Sequence, residues 1–565
     1  MTTTSDPDRF DADVAIVGAG PVGLTLAIDL AARGRSVVVL ETRHRGEPPN
    51  VKCNHVAART MEQFRRLGLV AHVRDAGLPA DYPNDVVFRT SVTGIELSRI
   101  RIPARATRYS DTSGPDGGWP TPEPPHRINQ IYLEPILFAH AEEKPGVTIR
   151  NRCEATSIAQ DEDGVTIEAR DLDNGTGGRV HARFLVGCDG GRSMVRKSIG
   201  ATLAGTPVIQ RVQSTYIRAP KLLGLVPGER AWSCYAANPR RSGVCFAIDG
   251  KETWLVHNHL MANEEDFEAV DRDASIRDIL GVGVDFKYEV LSKEDWIGRR
   301  LVADRFRDRR VFIAGDAAHL WVPYAGYGMN AGIADALNLS WHLSAHLAGW
   351  ADARILDAYE IERLPITEQV SRFAMDHARQ MIKARGAVPP RIEEPGAEGD
   401  AIRAEEGRKS YELNVQQFCC AGLNFGYFYD RSPLLTYDDE PAPAFTMGSF
   451  TPSTVPGCRA PHFWLADGRS LYDAFGSDYT LLRFDRRVSV AALAWAAHQR
   501  GLPMTVLDVD REQAPAEYRH ALVLCRADQH VAWRGDDLPD NALGLVDRLC
   551  GRAAPADVAP ERIES

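Results

Sequence analysis

The sequence predicts an α/β fold in three parts: a parallel sheet flanked by helices, a second, antiparallel sheet interleaved with it, and a smaller C-terminal α/β domain. Three observations predict this architecture. The chain opens on a strand, a glycine-rich turn, a helix and another strand; short alternating strands fill its middle; and a segment rich in proline, glycine and charge precedes the final strands and helices. At 565 residues the chain is too long for a single hydrophobic core.

The composition is that of an ordinary globular protein. Charged residues make up 25% and apolar residues 44%, and 66 basic against 77 acidic residues leave a net charge of -11, so nothing indicates nucleic-acid binding. We find no apolar run long enough to cross a bilayer, and the N-terminus is acidic and polar, so we expect a soluble cytoplasmic protein. The ten cysteines include no CxxC pair, which favours free thiols and predicts no metal site.

The N-terminal stretch DVAIVGAGPVGLTLAIDLAARGRSVVVLE predicts a Rossmann-like βαβ unit. Gly18 makes the tight turn, Gly20 lets the backbone approach a pyrophosphate at the helix N-terminus, and Gly23 lets helix and strand pack closely. Glu41 ends the second strand, where it can accept hydrogen bonds from a ribose hydroxyl. The expected ligand is an ADP-containing dinucleotide, either FAD or NAD.

The stretch GDAAHLWVPYAGYGMNAGIADALNLSW, residues 315–341, favours FAD. Asp316 follows a buried strand, and its carboxylate suits the polyol chain of a flavin better than a phosphate. A helix predicted from Asn330 would aim its N-terminus at the pyrimidine edge of the flavin, with Pro323 and the glycine loop beside the ring. The alternative is an ordinary helix start after a flexible loop.

A third segment, RFLVGCDGGRSMVRKSIG (183–200), repeats the order of strand, glycine-broken turn and helix. With the two segments above, and with ARTMEQFRRLGL (58–69), RINQIYLEPIL (127–137) and YEIER (359–363), it resembles the single-component FAD-dependent aromatic hydroxylases. These are the class A flavoprotein monooxygenases, and the likeness is to their phenol hydroxylase-like branch. It covers most of the chain. One departure is that Ala325-Gly326-Tyr327-Gly328 stands where the family commonly has Gly-Gly-Gln-Gly.

The resemblance implies FAD as the cofactor, with NADH or NADPH and O2 as co-substrates. Because we find a single dinucleotide fingerprint, we expect the nicotinamide to bind transiently along a groove. In the family, the residue at Asp189 lies near both FAD and nicotinamide, Asp316 holds the ribityl chain, and the Met-Asn pair touches the isoalloxazine ring. The cofactor-binding positions predicted in this way are Gly18, Gly20, Gly23, Glu41, Arg43, Lys52, Arg59, Gln130, Asp189, Asp316, Gly328, Met329 and Asn330.

The reaction implied by the resemblance is hydroxylation of a phenolic aromatic compound ortho or para to its hydroxyl group, through a flavin C4a-hydroperoxide. Such a site needs a base or hydrogen-bond acceptor for the phenol, in a dry cavity. We expect this group at His55, with Asn54 and Tyr216 as competitors and a capping role for His55 as the structural alternative; Pro323 is expected beside the reacting ring. Baeyer–Villiger-type or other oxygenation of a polycyclic aromatic polyketide is the alternative reaction, and a non-catalytic flavin-binding protein is a third hypothesis.

Composition also predicts the domain boundaries. We expect an FAD-binding domain over 1–385, interleaved with a substrate-binding sheet over about 80–115 and 201–298. Predicted substrate contacts are Arg218, Trp232 and Tyr235, and Arg240 or Arg241 could also pair a substrate carboxylate. A linker over 386–410 leads to a region, 411–565, that resembles the thioredoxin-like domain of phenol hydroxylase relatives. It lacks CxxC, so we assign it to packing or to a homodimer contact.

Overall fold

The computed structural model describes residues 10–52 and 55–552. Its strands are β1 (Ala12–Val17), β2 (Val37–Leu40), β3 (Val86–Arg89), β4 (Glu96–Ile100), β5 (Val147–Arg150), β6 (Cys153–Gln160), β7 (Val165–Asp171), β8 (Gly177–Gly187), β9 (Leu203–Arg218), β10 (Ser233–Ala236), β11 (Gly243–Ala247), β12 (Thr253–His259), β13 (Glu289–Ala303), β14 (Arg307–Asp308), β15 (Val311–Ile313), β16 (His319–Trp321), β17 (Tyr479–Arg483), β18 (Met504–Asp508), β19 (Leu522–Arg526) and β20 (Val531–Gly535).

The α-helices of the same residues are α1 (Pro21–Ala32), α2 (Ala58–Arg66), α3 (Val70–Asp75), α4 (Gln130–Glu142), α5 (Met194–Ser198), α6 (Arg272–Leu280), α7 (Tyr327–Leu347), α8 (Ala358–Gly386), α9 (Ala397–Phe418), α10 (Ala421–Phe425), α11 (Ala491–Arg500) and α12 (Ala542–Leu549). None of these described helices combines the length and apolar character that a membrane-spanning segment needs.

The first sheet contains the predicted βαβ unit. Its strands lie in the order β14-β15-β8-β1-β2-β5, and β7 and then β6 continue from β8 on a separate branch. The neighbours from β15 to β5 run parallel. The apolar strands β1 and β2 are almost wholly buried, as expected for a parallel sheet that is covered on both faces.

The second sheet has the order β16-β13-β9-β12-β11-β10-β3-β4. It joins the two predicted segments, because β3 and β4 extend the edge formed by β10, β11 and β12. One pair departs from the predicted antiparallel pattern, since β10 runs parallel to β3. The long chain segment between these two strands lets β10 return beside β3 in the same direction.

The predicted linker over 386–410 is largely helical, which corrects the sequence interpretation. Helix α8 ends at Gly386 and α9 begins at Ala397, so only a short connection lacks regular structure. Gly407 of α9 packs so closely on the second sheet that an added Cβ would lie 2.2 Å from the carbonyl oxygen of Leu97. Composition indicated a linker because most of α9 is polar and charged, while small residues make its contact with the sheet.

The C-terminal sheet has the order β18-β17-β19-β20 and is accompanied by α11 and α12, consistent with a thioredoxin-like domain. Its core is continuous with that of the first domain. Tyr479 of β17 packs edge-on against Trp341 of α7, with ring centroids 5.6 Å apart. Arg526 of β19 forms an ion pair with Glu362 of α8, and both side chains are fully buried. The terminal domain is therefore docked firmly on α7 and α8.

Candidate active site

The carboxyl edge of the first sheet brings the three sequence motifs together. Val17 of β1 lies opposite Leu40 of β2 and Gly187 of β8, and Gly187 in turn pairs with Ile313 of β15. The glycine turn, Glu41, the CDGG segment and the GDAAH segment therefore leave the sheet side by side. This edge is where open α/β sheets bind their ligands.

The glycine turn leaves no space for a side chain where it packs against the protein, but it leaves space on the side where a ligand would lie. Gly18 has φ +103°, and an added Cβ would lie 2.4 Å from the carbonyl oxygen of Cys188. A Cβ on Gly23 would lie 2.0 Å from the carbonyl oxygen of Gly18, whereas one on Gly20 would meet nothing within 4 Å. The turn thus leaves space at the N-terminus of α1, as a pyrophosphate requires.

Glu41 lies beside this space with an ionised carboxylate. It accepts hydrogen bonds from the backbone N–H groups of Ala19 at 2.7 Å and Arg43 at 2.9 Å. Burial raises the pKa of Glu41, but hydrogen bonds and charge from Arg43 outweigh it and hold the pKa below its usual value. The Arg43 guanidinium also pairs with Glu134 at 2.6 Å. All four residues border a cavity of about 250 Å³, where the carboxylate would meet a ribose.

Asp189 follows β8, and its carboxylate is engaged within the protein. It accepts from the Ser193 hydroxyl at 2.5 Å and from the N–H groups of Met194 at 2.7 Å and Val195 at 3.1 Å. These bonds fix the start of α5. The nicotinamide contact predicted for Asp189 stays a prediction.

A larger cavity, of about 340 Å³, lies between the carboxyl edge and the second sheet. It is lined by eight of the predicted site residues: Lys52, His55, Trp232, Tyr235, Asp316, Pro323, Gly328 and Met329. The remaining wall is largely aromatic and apolar, with Phe246, Leu255, Trp296 and Phe418. The cavity thus joins the predicted flavin loop to the predicted substrate sheet.

The side chain of Asp316 is exposed to the interior of this cavity, in whose wall it lies. Burial raises the pKa of its carboxyl, against the opposing charges of His319 and Lys52. Lys52 forms an ion pair at 2.7 Å with Glu294, which also lines the cavity. Asp316 is therefore left to accept hydrogen bonds from a ligand.

His319 of the GDAAH segment has a structural role. Its Nε2 lies 2.6 Å from the carboxylate of Asp335, which also pairs with Arg363 at 2.8 Å. All three side chains are buried. Asp335 also accepts from the N–H of Gly315, so the group supports the turn that carries Asp316.

Helix α7 begins at Tyr327, three residues before the predicted start at Asn330. Gly328 and Met329 border the cavity in its first turn, where backbone N–H groups have no acceptor within the helix. The Asn330 side chain faces elsewhere: it donates to the carbonyl oxygens of His55 and Gly326 and accepts from backbone N–H of Ala57. We predicted a flavin contact for Asn330, and its amide is instead fully used in joining the loop to the segment at His55.

Tyr327, which replaces the usual glutamine, also points away from the cavity. Its hydroxyl donates to the backbone carbonyl of Leu423 in α10, and its ring is buried. The departure from the family pattern therefore changes the contact between α7 and the C-terminal part of the chain. It adds no side chain to the cavity wall.

Several predicted residues lie outside the cavity. Tyr216 and Arg218 are further along β9 than Ser214, which lines it, and Arg218 is paired at 2.8 Å with Glu252. At the usual rise of a strand, four residues place Arg218 roughly 13 Å beyond Ser214. The pocket roles predicted for Tyr216 and Arg218 are therefore not supported. Asn54 lies outside the described residues.

Arg59 and Gln130 line neither of the two cavities. Arg59 is buried against the C-terminal domain, where it pairs with Glu62 at 2.8 Å and donates to the carbonyl oxygen of Asp528 at 2.8 Å. The Gln130 amide donates to Glu134 at 2.9 Å, at the start of α4. The FAD contacts predicted for these two side chains would need them to leave those partners.

Two family models match the chain. The FAD binding domain matches residues 11–374, and the C-terminal domain of aromatic-ring hydroxylases matches residues 453–553. The chain belongs to the FAD-dependent aromatic-ring hydroxylases. The geometry of the site fits FAD. Along the carboxyl edge of the first sheet lie the open space at Gly20, the ionised Glu41 and the carboxylate of Asp316.

Similar proteins span nearly the whole hydroxylase. An FAD-dependent monooxygenase, apdD, of Emericella nidulans is 30% identical, covering 96% of this chain and 90% of its own. Phenol 2-monooxygenase of a Pseudomonas species is 28% identical, covering 99% and 95%. The structure of chromopyrrolic acid-soaked RebC with bound 7-carboxy-K252c matches with a TM-score of 0.87 at 34% identity, covering 96% and 99%.

Sequence reasoning missed several cavity residues of the hydroxylase. His257 and His259 of β12 face the cavity together with Leu255, and the alternation of these positions along the strand could have identified them. Burial lowers the pKa of His257 to about 4. Arg127 also lines the cavity, and only its place in the RINQ motif distinguished it in the sequence.

Proposed function

We propose that this hydroxylase uses NADH or NADPH and O2 to hydroxylate a phenolic aromatic compound ortho or para to its hydroxyl group. The proposal rests on one cavity in which the predicted flavin-side residues Asp316 and Met329 meet an aromatic wall and the imidazole of His55. Bound FAD supplies the redox chemistry, taking electrons from the nicotinamide and activating O2. The similarity to a phenol 2-monooxygenase supports this class of substrate.

His55 is the residue best suited to activate the phenol. Burial, together with the positive charges of Arg127 and Arg108, holds the pKa of His55 well below its ordinary value, so the imidazole is neutral at pH 7. Its Nδ1 has no hydrogen-bond partner among the described residues. A neutral imidazole can accept a hydrogen bond from the phenol hydroxyl, which polarises the O–H bond and enriches the ortho and para ring carbons in electrons for attack on an electrophilic oxygen.

The aromatic wall and the loop at α7 would keep the reacting groups dry and in place. Phe246, Trp296 and Phe418 cover the cavity with apolar surface, which limits the access of water. Asn330 fixes the loop to the backbone of His55, and the first turn of α7 offers free N–H groups to negative charge developing on a flavin ring. The protein thus positions the substrate, excludes water from it and polarises its hydroxyl group.

Substrate-stimulated oxidation tests this function. The purified yellow protein is given NADH or NADPH with simple phenols, aryl acids and polycyclic phenols, under isotopically labelled dioxygen. We expect nicotinamide oxidation to be coupled to a phenolic product carrying one labelled oxygen. Oxidation that yields only hydrogen peroxide with every compound would contradict the proposal, and a labelled lactone or ester would support the Baeyer–Villiger-type alternative.

A further inference from the structure

Arg127 is a buried cation in the wall of the cavity. It precedes α4, its exposed fraction is 7%, and its guanidinium carbon lies 4.7 Å from the ring centre of Trp232 and 5.8 Å from that of Phe418. The hydrogen bond it makes within the described residues, from Nη2 to the carbonyl oxygen of Phe418, is long at 3.5 Å. The charged group is thus held between aromatic rings with its N–H edges largely unused.

Other buried arginines of the described chain have partners that Arg127 lacks. Those with an ion pair are Arg59, Arg74, Arg89, Arg108, Arg363, Arg403, Arg459, Arg526 and Arg534. Arg196 has none but donates to two carbonyl oxygens at 3.0 Å. Asp116 is the carboxylate whose charge stabilises the Arg127 cation most, but it already forms an ion pair at 2.5 Å with Arg108. A buried charge without a partner is costly, and an anion in the cavity would offset that cost.

The surface arginines that the sequence offered for this task are already paired. Arg218 binds Glu252, Arg240 binds Glu393, and Arg241 binds Glu264 at 2.8 Å. Arg127 is therefore the arginine that the cavity leaves for a ligand.

We propose that Arg127 binds a carboxylate of the substrate, so that the preferred substrates are aromatic acids that also carry a phenolic hydroxyl. This inference rests on the proposed function. The planar guanidinium, stacked on Trp232, can present two parallel N–H groups, which matches the two oxygens of a carboxylate better than the single oxygen of a phenolate. His55 then receives the hydroxyl, while Arg127 orients the ring from the other group. Arg127 is a specificity-determining residue.

Equilibrium binding to the FAD-loaded protein tests this inference without turnover. Calorimetry is run with meta-hydroxybenzoate and its amide, and with a hydroxynaphthoate and its amide, because each pair differs in charge and hardly in size. We expect at least one acid to bind about tenfold or more tightly than its amide, as a charge-assisted hydrogen-bonded pair would give. Acids that bind no better than their amides, including acids that do not bind at all, would overturn the inference.

Variants of Arg127 test whether this residue causes the tighter binding of acids than of amides. Arg127→Gln should remove the difference between acid and amide, Arg127→Lys should keep part of it, and Arg218→Gln, at the end of β9 and outside the cavity, should keep it whole. A preference for acids that survives Arg127→Gln assigns the carboxylate to another residue and overturns the inference.

Failure of the proposed function can be distinguished from failure of this inference. If only the function fails, acids would bind in an Arg127-dependent way without yielding an oxygenated product. Conversely, hydroxylation of neutral phenols without preference for acids would leave the function standing and refute the role of Arg127.

Discussion

The side-chain amide of Asn330 donates a hydrogen bond of 3.1 Å to the backbone carbonyl oxygen of His55. The same amide binds the carbonyl oxygen of Gly326 at 2.7 Å, and its oxygen accepts from Ala57 at 2.8 Å. One side chain thus ties the start of α7 to the segment that carries the proposed phenol acceptor. The two faces of the cavity are coupled through it.

Asn330→Ala should loosen this coupling. Loss of the buried hydrogen bonds should lower the free energy of unfolding by about 1–3 kcal/mol, and water entering at the loosened loop should raise the share of reducing equivalents lost as hydrogen peroxide. Thermal unfolding and peroxide assays measure the two effects. Asn424→Ala, at an equally buried asparagine of α10, is the control and should cost stability without raising peroxide. An unchanged share of hydrogen peroxide in Asn330→Ala would refute the positioning role of Asn330.

Asp316→Ala should weaken FAD binding, because the carboxylate is the free acceptor expected at the ribityl chain. We expect at least about a tenfold rise in the dissociation constant, and a smaller rise for Asp316→Asn, which keeps one acceptor oxygen. The ratio of bound FAD to protein, measured by absorbance after dialysis, gives the result. Asp304→Ala removes an exposed carboxylate that binds Thr202 and is the control. Full occupancy in Asp316→Ala would remove Asp316 from the cofactor site.

His55→Gln should lower kcat by about a hundredfold with an ordinary phenol, and by much less with a nitrophenol that is already ionised. The active form is the neutral imidazole, whose lowered pKa means that activity is lost only as the pH falls through that value. The acid limb of the kcat/KM profile due to His55 should therefore lie well below pH 6.5. His498→Gln, on the exposed face of α11, is the control. Equal losses with both phenols would show that His55 does not act on the phenol hydroxyl group.

Tyr327→Phe should affect stability and leave the reaction unchanged. Without the hydroxyl, the carbonyl of Leu423 loses its buried donor, at a cost of about 1–2 kcal/mol. Tyr359→Phe, which removes a hydroxyl bonded to the carbonyl of Ile313 at 2.8 Å, is the matched control and should lose a similar amount. Thermal midpoints and KM values are compared. A change in KM or in peroxide release for Tyr327→Phe would show that this residue does act on the cavity.

Much of the fold could be predicted from local patterns in the sequence. The strand-turn-helix order around Gly18, the apolar runs of β1 and β2, and the alternating strands of the second sheet follow from side-chain periodicity and from positions that need glycine. The meeting of three motifs at one edge then follows from the direction of parallel strands. The family models and the similar structures confirm the class of fold and of enzyme.

The walls of the cavity could not be predicted in the same way. Gln210, Ser214, Tyr216 and Arg218 share one face of β9, and only the placement of the other sheet decides that the cavity ends near Ser214. Arg127 lies in a segment without periodicity, and its lack of an ionic partner is visible only when every neighbour is in place. The helical character of α9 was hidden because its apolar contacts are few and are made partly by glycines.

Helix α9 also sets the order in which this enzyme can assemble during synthesis. Phe418, in its last turn, closes the substrate side of the cavity, whereas the glycine turn, Glu41 and Asp316 all come earlier in the chain. A nascent chain can therefore complete the nucleotide-binding edge, together with the part of the wall on β10 to β13, before the last part of the substrate wall exists. A chain released before residue 418 would lack this last part of the wall and also the Arg526 that pairs with the buried Glu362, so it could form neither the closed cavity nor the docked terminal domain.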